Sequence, residues 1–125
     1  IILGCNSGIG KAIVYNLTEL GAKVVINYLS HPEATEELEL EREIGSYGGS
    51  SNGVYADVSN LDDLQCLVQA TVAKYGRLDV MANNAGLETR SSILNSTPDD
   101  FDKVLDVNLW GVFFARQYAA KHMIA

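Results

Sequence analysis

Gly4 to Gly10 reads Gly-Cys-Asn-Ser-Gly-Ile-Gly, three glycines set between an apolar stub and an amphipathic run. Ile1-Ile2-Leu3 ahead of it is the tail of a buried strand. Behind it Ile9, Ala12, Ile13, Leu17 and Leu20 recur at helical spacing, and Gly21 closes the run. Strand, glycine turn and helix in that order make an anion cradle. Glycines let the backbone approach a diphosphate closely, while the free N–H groups and dipole of the helix start favour its charge. Gly4, Gly8 and Gly10 permit the turn and the approach. Asn6 and Ser7 add side-chain donors, and Ile9 offers an apolar contact beneath the bound group.

The same alternation continues. Lys23 to Tyr28 is a near-continuous apolar run, as a parallel strand buried on both faces requires. Ser30-His31-Pro32-Glu33 has the form of a capping box that opens an acidic helix. Residues 45 to 53 are rich in turn formers and read as a loop, followed by a short strand at Val54-Tyr55-Ala56. Ser59 is positioned to cap a helix whose inward stripe is Leu61, Leu64, Val68, Thr71, Val72 and Tyr75, with Gly76 ending it. Leu78 to Ala82 is a fourth strand that delivers Asn83-Asn84-Ala85-Gly86, and residues 87 to 96 form a loop. Thr97-Pro98-Asp99-Asp100 then starts a last helix reaching about His122.

Four strand–helix units without a hairpin signal predict an α/β fold: a Rossmann-like, doubly wound parallel sheet of about four strands with helices on both faces. In such sheets ligands bind beyond the carboxyl ends of the strands. The segments at 4–10, 57–58 and 83–86 each follow a strand, so they should meet in one crevice.

With 125 residues, 47% of them hydrophobic, the chain suits one domain over 1–125. It opens inside a strand and closes inside a helix, so truncation at both ends is expected. Of the net charge of −7, the stretch 33 to 43 holds −5, from six glutamates and Arg42. This acidic balance argues against nucleic acid or an anionic membrane as partner. The glutamates read as a solvated helix face, and no metal site is expected. Cys5 and Cys66 make no disulfide framework, which points to reduced thiols and a cytoplasmic protein.

The spacing Gly-x-x-x-Gly-x-Gly, Asp57-Val58, Asn83-Asn84-Ala85-Gly86 and Asn108 in the last helix together resemble the short-chain dehydrogenase/reductase family, in order and over essentially the whole chain. The resemblance implies an NAD(P)-dependent oxidoreductase that moves hydride between nicotinamide and a small alcohol or carbonyl substrate. It gives Asp57 a bond from the adenine amino group, helped by the Val58 backbone. It wraps Asn84, Ala85 and Gly86 around the nicotinamide-side ribose and leaves Asn83 to support the sheet. Asn108, within the apolar Val107 to Phe114, becomes the asparagine of the catalytic tetrad, holding a water beside the catalytic lysine. A buried amide there must in any case be satisfied. Structural readings stay open: a turn leading into a helix for Asp57, a purely structural amide for Asn108. Leu3 departs from the threonine common in the family.

Coenzyme choice turns on the second strand's end. The discriminating acidic position falls on Tyr28, so no carboxylate repels a 2′-phosphate. Leu29 stands where phosphate-preferring relatives often carry arginine, leaving Asn27, Ser30 and His31 as contacts. NADP, or dual use of NADP and NAD, is the expectation; the alternative is that these residues merely begin a helix.

The family chemistry also needs a serine and a tyrosine four residues before a lysine. Four positions after Tyr15, Tyr28, Tyr47, Tyr55, Tyr75 and Tyr118 stand Glu19, Pro32, Ser51, Ser59, Asp79 and His122. The proton-transfer residues are therefore expected beyond Ala125, and the chain alone is expected to be inactive. Leu78 to Glu88, with Asn27-Tyr28 and Ser30, most resembles the glucose 1-dehydrogenases of the family. Acyl-carrier-protein ketoreductases are the runner-up, and a non-catalytic nucleotide-binding or sensor module is the other alternative. Relatives build dimers and tetramers through the last helix, which assigns Trp110, Phe113, Phe114 and Met81 to core or interface and implies a homo-oligomer.

Overall fold

A run as apolar as Lys23 to Tyr28 can be covered only if helices lie on both faces of its strand. In a computed structural model, which describes residues 1–5, 8–29 and 35–125 and the side chains of all these except 35–38, that run is β1 (Lys23–Tyr28). It pairs in parallel with β2 (Ser50–Tyr55), placing Val24 opposite Ser51 and Tyr28 opposite Tyr55. On the other side of β1, Ile2 bridges in parallel to both Ile26 and Ala82. Ile2 N donates to Val25 O at 3.0 Å and Leu3 N to Ala82 O at 2.9 Å. The spatial order is therefore β2, β1, Ile1–Leu3, then the segment ending at Ala82. The direction of winding reverses beside Ile1–Leu3, which is where doubly wound sheets open a crevice.

Alternating side chains feed two cores. Ile1, Leu3 and Val25 face α3 (Leu61–Tyr75) and the last helical segment, meeting Leu64, Leu67, Val68, Ala115 and Ala119. Ile2, Val24 and Ile26 face α1 (Gly8–Glu19) and α2 (Thr35–Ser46), meeting Val14, Leu40 and Ile44. The fold is the expected α/β Rossmann-like one.

Several local expectations are corrected. Ser50 to Gly53 belong to β2 rather than a loop, because this edge strand needs only half-buried positions and polar residues fill them. The cap of α3 is Asn60, whose side chain accepts from the amides of Asp62 and Asp63; Ser59 instead bonds Asp57. The fourth strand shrinks to a single bridge at Ala82. In α1 the buried positions are Gly10, Val14 and Thr18; of the expected stripe Ile13 and Leu17 pack against the core, whereas Ile9 is 74% exposed and Leu20, just past the helix end, 84%. That rotation follows from Gly10, which seats the helix directly on the glycine turn. The last helix runs as α4 (Pro98–Leu105), a π-helical turn (Asp106–Gly111) and α5 (Val112–Met123). Thr97 and Asp100 form a complete capping box at its start. The capping box expected at 30–33 lies outside the described residues.

Across α1 and α2 the Tyr15 hydroxyl donates to the Glu43 carboxylate. Burial, reinforced by that bond and the nearby Glu43 charge, pushes the phenol up to about 12. A raised folded-state value means the neutral phenol stabilises the fold fully below about pH 10, its ordinary value, and that this contribution is lost as pH climbs toward 12. The stability advantage of the wild type over Tyr15→Phe should therefore be constant below pH 10 and decline above it, as denaturant midpoints at stepped pH will show.

Candidate functional site

A cleft of about 710 Å³ opens at the carboxyl end of the strands. It is lined by Gly4, Gly8, Ile9, Asn27, Tyr28, Leu29, Asp57, Val58, Asn84, Ala85 and Gly86, together with Ala56, Leu87 and Val107. Every described candidate for coenzyme contact is thus present except Gly10; Asn6, Ser7 and Ser30 lie outside the described residues. Ala56, Leu87 and Val107 were not read from the sequence. Each directly adjoins a residue that was, and their apolar side chains carry no signal of their own.

The glycines divide the work. Gly4 has φ +64°, and a Cβ there would lie 2.7 Å from the Ala85 Cα, so only glycine lets the turn cross the Asn83–Gly86 segment. Gly8 has φ +55° but open space where a Cβ would stand, on the rim of the cleft at the first residue of α1. Gly10 does not line the cleft. A Cβ on it would strike Gly4 O, lie 2.6 Å from Asn84 Nδ2 and 2.8 Å from Cys5 Cα. It is a packing position beneath the turn.

Two asparagines brace this arrangement. Asn84 Nδ2 donates to Gly4 O at 2.7 Å and Leu3 O at 3.1 Å, tying the fourth segment to the glycine turn. Asn27, 3% exposed, donates through Nδ2 to Ala56 O at 2.8 Å, and its Oδ1 accepts from Gly4 N at 3.4 Å. The Asn27 carboxamide is therefore occupied by the sheet rather than extended toward a ligand. Asn83, expected to support the sheet, has its Oδ1 buried without a protein partner among the described residues. Cys5 is fully buried, its thiol donating to Ile2 O at 3.3 Å, which suits a small residue filling the turn.

At one wall, Asp57 Oδ1 accepts from both Ser59 N (2.9 Å) and Ser59 Oγ (2.7 Å). Tyr28 meets Tyr55 edge-on, the ring centroids 6.1 Å apart, and Leu29 stands exposed beside it. At the other wall, Asn108 is not the buried amide expected from its apolar neighbours; it is exposed in the π-helical turn. Its carboxamide is nonetheless bonded at both ends, accepting from Leu87 N at 2.9 Å and donating to Leu87 O at 2.8 Å.

Asp57 is the one charged group among the described lining residues. An anion entering the cleft would thus be met by backbone amides and the α1 dipole rather than by a basic side chain. The left-handed Gly8 with open space above it fits a diphosphate laid across the helix start. No described group of His, Cys, Asp and Glu side chains could hold a metal ion, and no helix among the described residues is long and apolar enough to cross a membrane.

Fold and cleft define a Rossmann-like α/β protein with a cleft at the carboxyl end of its strands, and comparison with known proteins narrows the class. Residues 1–125 match the family described as short chain dehydrogenase, to which this chain belongs. It is 39% identical over 123 residues to an uncharacterized oxidoreductase of Thermotoga maritima, covering 98% of this chain and 47% of that protein. It is 36% identical over 124 residues to a 3-oxoacyl-[acyl-carrier-protein] reductase of Synechocystis sp., covering 99% and 49%. A metagenomic short-chain oxidoreductase solved in complex with NADP is similar at a TM-score of 0.90 and 31% identity, over 98% of this chain and 55% of that one. The chain spans about half the length of the curated relatives it matches.

Proposed function

We propose that residues 1–125 are the coenzyme-binding part of a longer NAD(P)-dependent short-chain oxidoreductase. Its reaction transfers hydride between nicotinamide and a small alcohol or carbonyl compound. The observation that carries this reading is the gathering of the three marked segments around one cleft at the amino end of α1. Similarity to an oxidoreductase solved with NADP supports the coenzyme class.

In this reading the amides of the glycine turn hold the diphosphate, and the side chains of Asn6 and Ser7 add donors to it. Tyr28, Leu29 and Ser30 flank the adenosine ribose, and Asp57 and Val58 take the adenine. Asn84, Ala85 and Gly86 border the nicotinamide ribose, and Asn108 supports the catalytic proton path. The bound nicotinamide supplies or takes the hydride. Serine and Tyr-x-x-x-Lys, which move the substrate proton, follow residue 125, so the 125-residue piece alone is inactive. Glucose is the first substrate candidate, supported by the appearance of Leu78 to Glu88. A 3-oxoacyl thioester is the second, supported by the 36% identity to the Synechocystis reductase. Assays of the full-length protein with glucose and NADP, and with an acetoacetyl thioester and NADPH, separate the two; a protein that binds neither coenzyme in calorimetric titration refutes both.

The protein is assigned to the cytoplasm and to a homo-oligomer, a dimer or tetramer built on the last helix. Supporting the latter, Phe101, Leu109 and Phe113 are 63%, 60% and 60% exposed at four- or eight-residue spacing along it.

NADP or dual use is assigned because Tyr28 places no carboxylate against a 2′-phosphate. Tyr28→Asp should then weaken NADP binding by about tenfold or more while NAD binding holds, a charge repulsion of about 1.4 kcal/mol. Dissociation constants for both coenzymes measured on the two proteins check it.

A further inference from the structure

Gly111 ends the π-helical turn with φ −56° and ψ −45°, a conformation open to every L-residue. Nothing about its backbone requires glycine, and glycine inside a helix costs about 1 kcal/mol relative to alanine. The requirement comes from outside the helix. A Cβ on Gly111 would lie 2.5 Å from the carbonyl oxygen of Val58 and 3.2 Å from its carbon. The helix backbone rests directly on the turn after β2 that forms the Asp57–Val58 wall of the cleft.

Three residues earlier the same turn grips the opposite wall. Asn108 exchanges two hydrogen bonds with the Leu87 backbone, and a Cβ on Gly86 would sit 3.4 Å from Asn108 Oδ1. Val107, between these anchors and the cleft, lines it. One rigid helical turn therefore touches both sides of the opening, and the contact at Gly111 has no side chain to absorb a change.

We propose that Gly111 is a positioning residue that fixes the spacing between the Val58 and Leu87 walls, and so the fit of a dinucleotide that must reach both. The proposal rests on the coenzyme reading above. Carbon and carbonyl oxygen settle at roughly 3.3–3.6 Å, so a methyl group at 111 drives the helix and the Val58 turn apart by about 1 Å. Displacements of that size are enough to spoil a two-ended fit. A ligand that reaches only the adenosine end does not sense the spacing.

The test is calorimetric titration of the full-length protein and its Gly111→Ala variant with NADP and with 2′,5′-ADP. NADP binding is expected to weaken by about tenfold in the variant, and 2′,5′-ADP binding by less than about threefold. Equal affinities in both proteins, or equal losses for both ligands, overturn the role of Gly111 alone, because the wild type still binds. A wild type that binds neither ligand overturns the coenzyme reading and this role together. Should Gly111→Ala fail to fold, hydrogen exchange on the wild type decides. Gly111 does not line the cleft, so NADP bound there should slow exchange of the Gly111 and Val112 amides by about tenfold only through the walls; unchanged rates overturn the proposal.

Discussion

Replacing Gly10 with alanine is expected to destabilise the protein by about 3 kcal/mol, at the upper end of what an overpacked methyl group costs. The added carbon meets Gly4 O, Asn84 Nδ2 and Cys5 Cα. Two of these are backbone atoms that no rotamer change moves. The third already donates to Gly4 O and Leu3 O, so displacing Asn84 also strips two carbonyls of their partner. In a full-length protein of the relatives' size the melting temperature should fall by roughly 6–12 °C. Gly8→Ala supplies the contrast. It meets nothing within van der Waals reach and strains only the positive φ, at a cost of about 1–2 kcal/mol. Its methyl group stands on the cleft rim, so coenzyme affinity should suffer more than folding. Melting curves and titrations of the two variants side by side separate a packing glycine from a binding glycine.

The second large effect falls on turnover. Asn108→Ala removes two hydrogen bonds to Leu87 at an exposed site, where water replaces them, so stability should change by only about 1 kcal/mol. With the π-helical turn unlatched from Leu87, the proton path that Asn108 is proposed to support is misaligned. The expected loss in kcat is about 10²-fold, the lower range for general acid–base assistance, accompanied by weaker NADP binding because the same two bonds anchor the Leu87 wall. Asn108→Asp keeps the oxygen that accepts from Leu87 N but loses the donor to Leu87 O, and should recover part of the rate. A full-length enzyme that keeps its kcat in Asn108→Ala removes Asn108 from the catalytic set.

What the residues made legible is the part governed by backbone chemistry. The glycine spacing at 4–10, the apolar run at Lys23–Tyr28 and the segment at 83–86 each carry a local sequence pattern, and residues from all three line one cleft. What stayed hidden depends on the third dimension. Ile9 and Leu20 sit at helical spacing yet are solvent-exposed, because Gly10 sets the rotation of α1. Ser50 to Gly53 look like a loop until β1 offers a ladder to pair with. Asn108 lies among apolar residues yet is exposed, its carboxamide turned onto the Leu87 backbone, and several of those neighbours are themselves exposed. The structural use of Asn27 and Gly10, and the contact of Gly111 with Val58, depend on tertiary contacts that carry no sequence pattern.

Amide chemical shifts of the full-length, isotope-labelled protein during titration with NADP, and with ADP as a diphosphate lacking nicotinamide, probe the glycine turn most directly. Gly8, Ile9 and Gly10 are expected to move furthest with both ligands. Coenzyme that binds while those three amides stay in place would contradict a diphosphate held at the start of α1.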